Sequence, residues 1–438
     1  MTVILQYADH FVEYQNDMKR YDTLHVWKLI KLLICKFLLF HDFGTALFTS
    51  LVKASMLGFH NWRRTYWLYL KKLRPINDTY DAPFAIGCKN VAYEASQYPR
   101  MNATFMVLAR NSDLDGVLSS MNSIERRFNR HFKYPYVFLN DEPFTTEFKK
   151  AVKDATDSSI QFGVLDDELW NFPKDVDKDM IDESIAEQVG VVYANFPSYH
   201  KMCRFFSRNF YKHPLMQQYE WYWRLEPEVT FSCDISYDPF YYMDKHNKVY
   251  GYVIAIKELA KTVPNLFRYT VAHQKISNLP TTDLWSFFLD KRYETRIKKL
   301  KEEQKDQGYY VLPEPPLNRI DGQIYNLCHF WSNFEIARLD FYNSKEYNEY
   351  VDALENAGGF WTERWGDAPV HSLAVGLLLN RSQVHYFRDL GYQHSTIQHC
   401  GQEYGCNCDC PFNIPDYETK PGSCINEWAS VMGGFLDE

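Results

Sequence analysis

Tyr219–Asp234, YEWYWRLEPEVTFSCD, is the stretch from which the rest of the chain is read. Its first half mixes aromatic and aliphatic residues with polar ones in the manner of a buried strand, then meets Glu226-Pro227-Glu228. Pro227 has no amide hydrogen for a sheet ladder, so pairing is predicted to stop there, leaving two carboxylates at the strand end. Open α/β sheets bind ligands beyond the carboxyl ends of their strands, where an acidic pair can bring a divalent cation and a phosphorylated ligand together. Read alone, the tripeptide equally describes an exposed turn with two solvated carboxylates.

Towards the N-terminus, TFMVLAR from Thr104 predicts an apolar strand followed at once by a helix. Ser112 and Asp115 have the spacing of a capping box, and Leu114, Leu118, Met121, Ile124 and Phe128 recur at helical intervals. Strands at Tyr136–Leu139 and Ile160–Leu165 flank a helix at Phe144–Val152, so this third of the chain reads as a nucleotide-binding half-sheet. It has neither a G-x-G-x-x-G turn nor a Walker loop. In Ser198–His213, Lys201, Arg204, Arg208 and Lys212 fall on one helical face, a phosphate-facing or a solvated surface. Tyr250–Ile256 reads as one buried strand, and Thr282–Gln307 as an exposed, charge-paired helix within an insertion of about 282–317. Beyond Gln323, tight turns at Gly358-Gly359 and Gly366-Asp367 bracket Trp361 and Trp365. His371 opens an apolar helix, and His394 follows a Gly-Tyr turn.

A chain of 438 residues, 46% hydrophobic and 24% charged, can bury a large core. Residues 1–75 carry 11 Lys/Arg against 5 Asp/Glu, a charge of +6, and the remainder carries 37 against 51, or −14. So acidic a body argues against nucleic acid as a partner. Five of the ten cysteines crowd into Cys400, Cys406, Cys408, Cys410 and Cys424, and sequons occur at Asn77, Asn102 and Asn380. Together they favour a secretory lumen, with disulfides rather than zinc, because C-x-C-x-C lacks the spacing of zinc knuckles. Leu24–Phe59 is apolar but broken by Lys28, Lys31, Lys36 and Asp42. That pattern fits a cationic interfacial helix, a marginal span with snorkelling lysines, or an amphipathic helix packed on the body.

Five segments resemble the fungal Golgi α-1,2-mannosyltransferases: YPYVFLNDEPFTTEF (Tyr134–Phe148), SYHKMCRFFSRNFYKHPL (Ser198–Leu215), YWRLEPEVTFSCDI (Tyr222–Ile235), CHFWSNFEIA (Cys328–Ala337) and GGFWTERWGDAPVHSLA (Gly358–Ala374). The resemblance implies a glycosyltransferase-A type α/β fold: a mixed sheet flanked by helices, with a nucleotide-sugar half abutting an acceptor half. The expected division is a membrane-proximal stem over 1–80 and a catalytic domain over 81–438, with a Cys-rich extension from 400. The implied activity is retaining transfer of mannose from GDP-mannose to a mannose-terminated N- or O-linked glycan, on the lumenal side of the Golgi membrane. Mannosylphosphate transfer and catalytically inactive mannan binding are the alternatives. Carried over by position, Glu226 and His394 would hold Mn²⁺, and Arg110, Glu226 and Asp367 would contact the nucleotide sugar. Tyr199 would lie beside the reacting carbon, with Glu335 as the nucleophile. A carboxylate with an imidazole suits manganese. The family begins with a clean signal anchor, from which this lysine-broken start departs.

Overall fold

The computed structural model describes residues 81–305 and 318–433, which belong to a compact unit running from Arg74 to Glu438. The apolar, lysine-broken stretch at 24–59 lies outside the described residues. Among the described residues, no helix is long and apolar enough to cross a membrane.

The first strands are β1 (Ala103–Leu108), β2 (Tyr136–Asn140), β3 (Ile160–Val164), β4 (Trp221–Leu225), β5 (Val229–Phe231), β6 (Tyr250–Tyr252) and β7 (Ala255–Lys257). They are followed by β8 (Arg319–Ile320), β9 (Gln323–Ile324), β10 (Cys328–Phe330), β11 (Phe334–Arg338), β12 (Val384–Tyr386), β13 (Tyr392–His394) and β14 (Ile397–His399). A seven-stranded sheet has the order β12-β6-β11-β4-β1-β2-β3. The β4-β1-β2-β3 half is parallel, whereas β11 runs antiparallel to both β4 and β6. This is the mixed α/β architecture expected. β1, β2 and β4 are covered on both faces, and their near-continuous apolar runs reflect that.

Several local readings change. The helix Leu114–Ile124 has no Ser112–Asp115 box; it follows a single 3-10 turn, Asn111–Asp113, in which Asp113 Oδ2 accepts the Arg110 backbone N–H at 2.9 Å. Tyr250–Ile256 is two strands, because β6 stays in the main sheet while β7 leaves it to pair with β10. The charged helix does form, at Arg292–Glu303. The segment before it, however, buries Leu284, Trp285, Phe287 and Phe288, so the charged excursion starts near Arg292 instead of 282. Ahead of β1, the described chain forms the helix Val91–Gln97.

The basic face of Pro197–Arg208 is turned largely towards protein partners. Arg204 forms a buried pair with Glu355 at 2.6 Å, Arg208 reaches Asp352 at 2.7 Å, and Lys201 donates to Asn171 at 2.6 Å. The two arginine pairs dock this helix on the helix Lys345–Ala357, and Lys201 ties it to the end of the helix Asp167–Trp170. The crowded cysteines are disulfides: Cys88–Cys406, Cys233–Cys408, Cys328–Cys424 and Cys400–Cys410. Cys203 is a buried free thiol.

Candidate active site

β4 stops at Leu225, and Pro227-Glu228 turns the chain into β5. Glu228 takes the left-handed conformation, φ 60°, a cost accepted where the surroundings fix it. Its amide donates to the Gly116 carbonyl at 3.0 Å, and a Cβ on Gly116 would lie 2.8 Å from the Glu228 side chain. Glycine is therefore required there so that the acidic turn can seat on the first helix. Ser120 continues the docking by accepting the Val229 amide at 2.9 Å.

The same turn delivers the histidine. β5 pairs with β13, placing Val229 opposite His394 and bringing the imidazole within the field of Glu226 and Glu228. Burial pushes His394 below the ordinary imidazole range, against the pull of Glu226, so the ring is neutral at physiological pH. The Asn333 side-chain amide holds its Nδ1 at 3.1 Å. A neutral imidazole beside carboxylates with residual exposure is a donor set that fits manganese.

Glu226 is aimed by Arg224, whose Nε lies 2.6 Å from Oε1. Arg224 is buried, stacks 3.4 Å over Phe206, and sends Nη1 to Asp367 Oδ2 at 2.5 Å. Ser332 also donates to that oxygen, at 2.6 Å. Burial opposes the Asp367 charge, but Arg224 and His371 outweigh it and hold the carboxyl below its usual range. Asp367 thus sits behind Arg224. Arg110 lies at the carboxyl end of β1 with its guanidinium exposed and paired to Asp113 at 3.1 Å.

Glu335 is directly opposite Arg224 across the β11–β4 ladder. It has no exposed surface: Oε1 accepts from Tyr342 at 2.7 Å, and Oε2 from Tyr250 at 2.6 Å with His371 Nδ1 at 3.0 Å. Burial works against a charged His371, yet Glu335 prevails and raises the ring above its usual range. Asp367 and His371 stand one turn apart on the helix Asp367–Leu378, so this helix face meets the cross-strand pair Arg224/Glu335 residue for residue. His371 Nε2 then reaches the Phe206 carbonyl at 2.9 Å, tying the sheet to the helix that carries Tyr199.

Tyr199 lies near the start of Pro197–Arg208. Its hydroxyl accepts from Arg364 Nη1 at 3.0 Å, and Arg364 Nη2 reaches Glu258 at 3.3 Å. Burial, with Cys203 and Asp367 adding to it, raises the phenol far above its usual range despite Arg364, so it stays protonated. Tyr193, exposed and in left-handed backbone at φ 61°, stacks on Tyr199 with ring centroids 5.2 Å apart. The structure thus groups Glu226 with His394, joins them through Arg224 to Asp367, and places Glu335 and Tyr199 on either side of the helix contact at Phe206. Sequence reasoning missed Arg224, Arg364, Glu258 and Asn333. Arg224, Asn333 and Arg364 lie inside the quoted segments, but their role depends on partners far away in sequence.

A family model described as glycolipid 2-alpha-mannosyltransferase matches residues 75–433. An O-glycoside alpha-1,2-mannosyltransferase homolog of Schizosaccharomyces pombe is 51% identical over 388 residues, covering 85% of this chain and 87% of its own. The fold matches core-mannan synthase A of Aspergillus fumigatus in its Mn/GDP form with TM-score 0.66 and 32% identity, covering 82% of this chain and 94% of that one. It also matches the mannosyltransferase Ktr4p of Saccharomyces cerevisiae in complex with GDP, with TM-score 0.67 and 33% identity over 83% and 89% of the two chains. With the motif segments assembled on one mixed sheet, these matches show that the chain belongs to the glycolipid 2-alpha-mannosyltransferase family of glycosyltransferases.

Proposed function

We propose that the chain transfers mannose from GDP-mannose to the 2-hydroxyl of a terminal α-mannose on N- or O-linked glycans, with retention of configuration and dependence on Mn²⁺. The observation that carries this reading is the acidic turn and neutral imidazole at the carboxyl edge of the sheet, joined by one buried arginine to the helix bearing Tyr199. Glu226 and His394 are the residues that would hold the cation. When bound, it supplies positive charge against the departing diphosphate.

Arg224 fixes the Glu226 carboxylate, and Asp367 fixes Arg224. A protonated Tyr199 can donate a hydrogen bond where charge develops on the leaving oxygen, while Arg364 and Glu258 keep its hydroxyl in one place. In the same-face route, the C1–O bond to GDP breaks as the acceptor O2 bonds to C1, and the acceptor proton passes to the leaving phosphate oxygen. This route is favoured over a covalent intermediate because both Glu335 oxygens are already engaged in an enclosed site. Glu335 then acts as a positioning residue. Arg110, at the strand end, supplies a guanidinium towards the nucleotide. Four disulfides among the described residues support an oxidising lumen, and we place the domain in the Golgi lumen with residues 1–80 towards the membrane.

The test is GDP release and product linkage with α-methyl mannoside as acceptor. Activity is expected to vanish with chelator and to return with Mn²⁺ in the wild type but not in Glu226→Gln. Tyr199→Phe is expected to lower turnover about a hundredfold with GDP affinity unchanged. An α-1,2-linked product from Glu226→Gln in chelator would overturn the metal assignment. A dead Glu335→Gln beside a near-normal Tyr199→Phe would overturn the ranking of the two residues.

A further inference from the structure

At the other end of the β13–β14 ladder from His394 lies a second group of metal-ligating side chains. His399 ends β14, and Asp416 and Glu418 come from the loop that crosses it near the C-terminus. Their ligand atoms all fall within 4.8 Å of one another. Asp416 Oδ2 is 3.4 Å from His399 Nδ1, Glu418 Oε1 is 3.6 Å from it, and the Tyr386 hydroxyl is 3.4 Å away.

Those spacings discriminate between two explanations. An N–H···O hydrogen bond spans about 2.7–3.2 Å, so neither carboxylate is close enough for a good one. Ligands at about 2.0–2.1 Å around one tetrahedral ion stand about 3.3 Å apart, close to what is observed. The ring is also held in place: Nε2 is 3.0 Å from the Arg388 carbonyl, which fixes one proton there and turns Nδ1 towards the carboxylates; burial opposes a charged ring, yet Asp416 raises it, so a cation would bind by displacing the Nδ1 proton. Asp416 is held in turn, with Oδ2 accepting the Cys400 amide at 2.7 Å and Oδ1 the Glu418 amide at 2.9 Å. Beside the group, a small cavity of about 10 Å³ is bordered by His399, Glu418 and Tyr386 on one side and by Val253, Ile254 and Ile425 on the other.

We propose that His399, Asp416 and Glu418 form a binding site for a divalent transition cation of the zinc class, separate from the donor-site metal. Tyr386 or one water completes the tetrahedron. The imidazole enters as the neutral ring, and any proton that the cluster holds leaves to solvent as the cation binds. Such an ion would clamp the C-terminal loop to β14 and so brace the hairpin that presents His394.

The test uses the full chain carrying Glu226→Gln and His394→Gln, so that the donor site is removed, stripped with chelator and then titrated with zinc chloride. One zinc per chain is expected, with X-ray absorption showing only nitrogen and oxygen neighbours and with thermal unfolding shifted upward. Adding Glu418→Gln, a partly exposed position that leaves the His399 and Asp416 contacts intact, is expected to weaken zinc at least tenfold. His399→Gln should abolish stoichiometric binding. Zinc bound equally well with and without Glu418→Gln, sulfur in the zinc shell, or no stoichiometric zinc in the folded parent would each overturn the site.

Discussion

Replacing Arg224 with methionine keeps an apolar stem of similar length over Phe206 but removes the charge that serves two carboxylates. Asp367, 8% exposed at its side chain, would be left with Ser332 as its remaining donor, whereas Glu226, 18% exposed, can recover some hydration. Removing one partner from a buried ion pair costs about 3–5 kcal/mol, and most of that should reside at Asp367. Adding Asp367→Asn neutralises the stranded charge and should restore about 1–3 kcal/mol, a coupling expected of contacting residues. Urea unfolding of the oxidised protein, followed by tryptophan fluorescence, measures both variants and Asp367→Asn alone. Turnover should fall in both Arg224 variants, because neither retains the group that aims Glu226. An Arg224→Met protein within about 1 kcal/mol of wild type, or costs that simply add in the double variant, would refute this account of the site's internal charge balance.

Glu335→Gln should cost about 2–3 kcal/mol by weakening hydrogen bonds to a buried carboxylate. Because Glu335 raises His371, the stability that this pair contributes is complete below the ordinary imidazole pKa and is lost as pH rises through the raised value. The gap between wild type and Glu335→Gln in unfolding free energy should therefore narrow from pH 6 to pH 9, and a constant gap would contradict it. Replacing both Cys328 and Cys424 by serine opens a link between residues 96 apart and should cost about 2–5 kcal/mol, read from the same unfolding curves. Exchanging Glu294–Lys305 for a short Gly/Ser linker leaves buried Tyr293 in place and should keep GDP-mannose hydrolysis within about twofold of wild type, measured as GDP release.

The sheet was legible wherever one strand's own composition decides its burial. The apolar runs at β1, β2 and β4 and the proline at 227 identify their strands and the end of β4 without outside help. β6 and β7 were merged because Tyr250 through Ile256 reads as one apolar run, and only pairing with β11 and β10 separates them. For the site, Glu226 could be found because it follows a strand and a proline breaks the ladder. The Ser198–His213 lysines and arginines were misread for the opposite reason. Periodicity places them on one face but says nothing of Asp352 and Glu355, whose carboxylates lie more than a hundred residues later. The enclosure of Glu335 was equally invisible, since Tyr250, Tyr342 and His371 come from three separate elements.

The disulfide pattern has a consequence for how the chain is made. Cys88, Cys233 and Cys328 each wait for a partner at or beyond Cys406, at separations of 318, 175 and 96 residues. Synthesis from the N-terminus produces these three thiols, alongside Cys35 and Cys203, long before their native partners, so any earlier oxidation joins them to wrong partners. Reaching the native pairing therefore requires that premature bonds stay open or be reopened by thiol–disulfide exchange. A product shortened before Cys406 would leave all three without partners, giving quality control a chemical mark by which to recognise an unfinished enzyme.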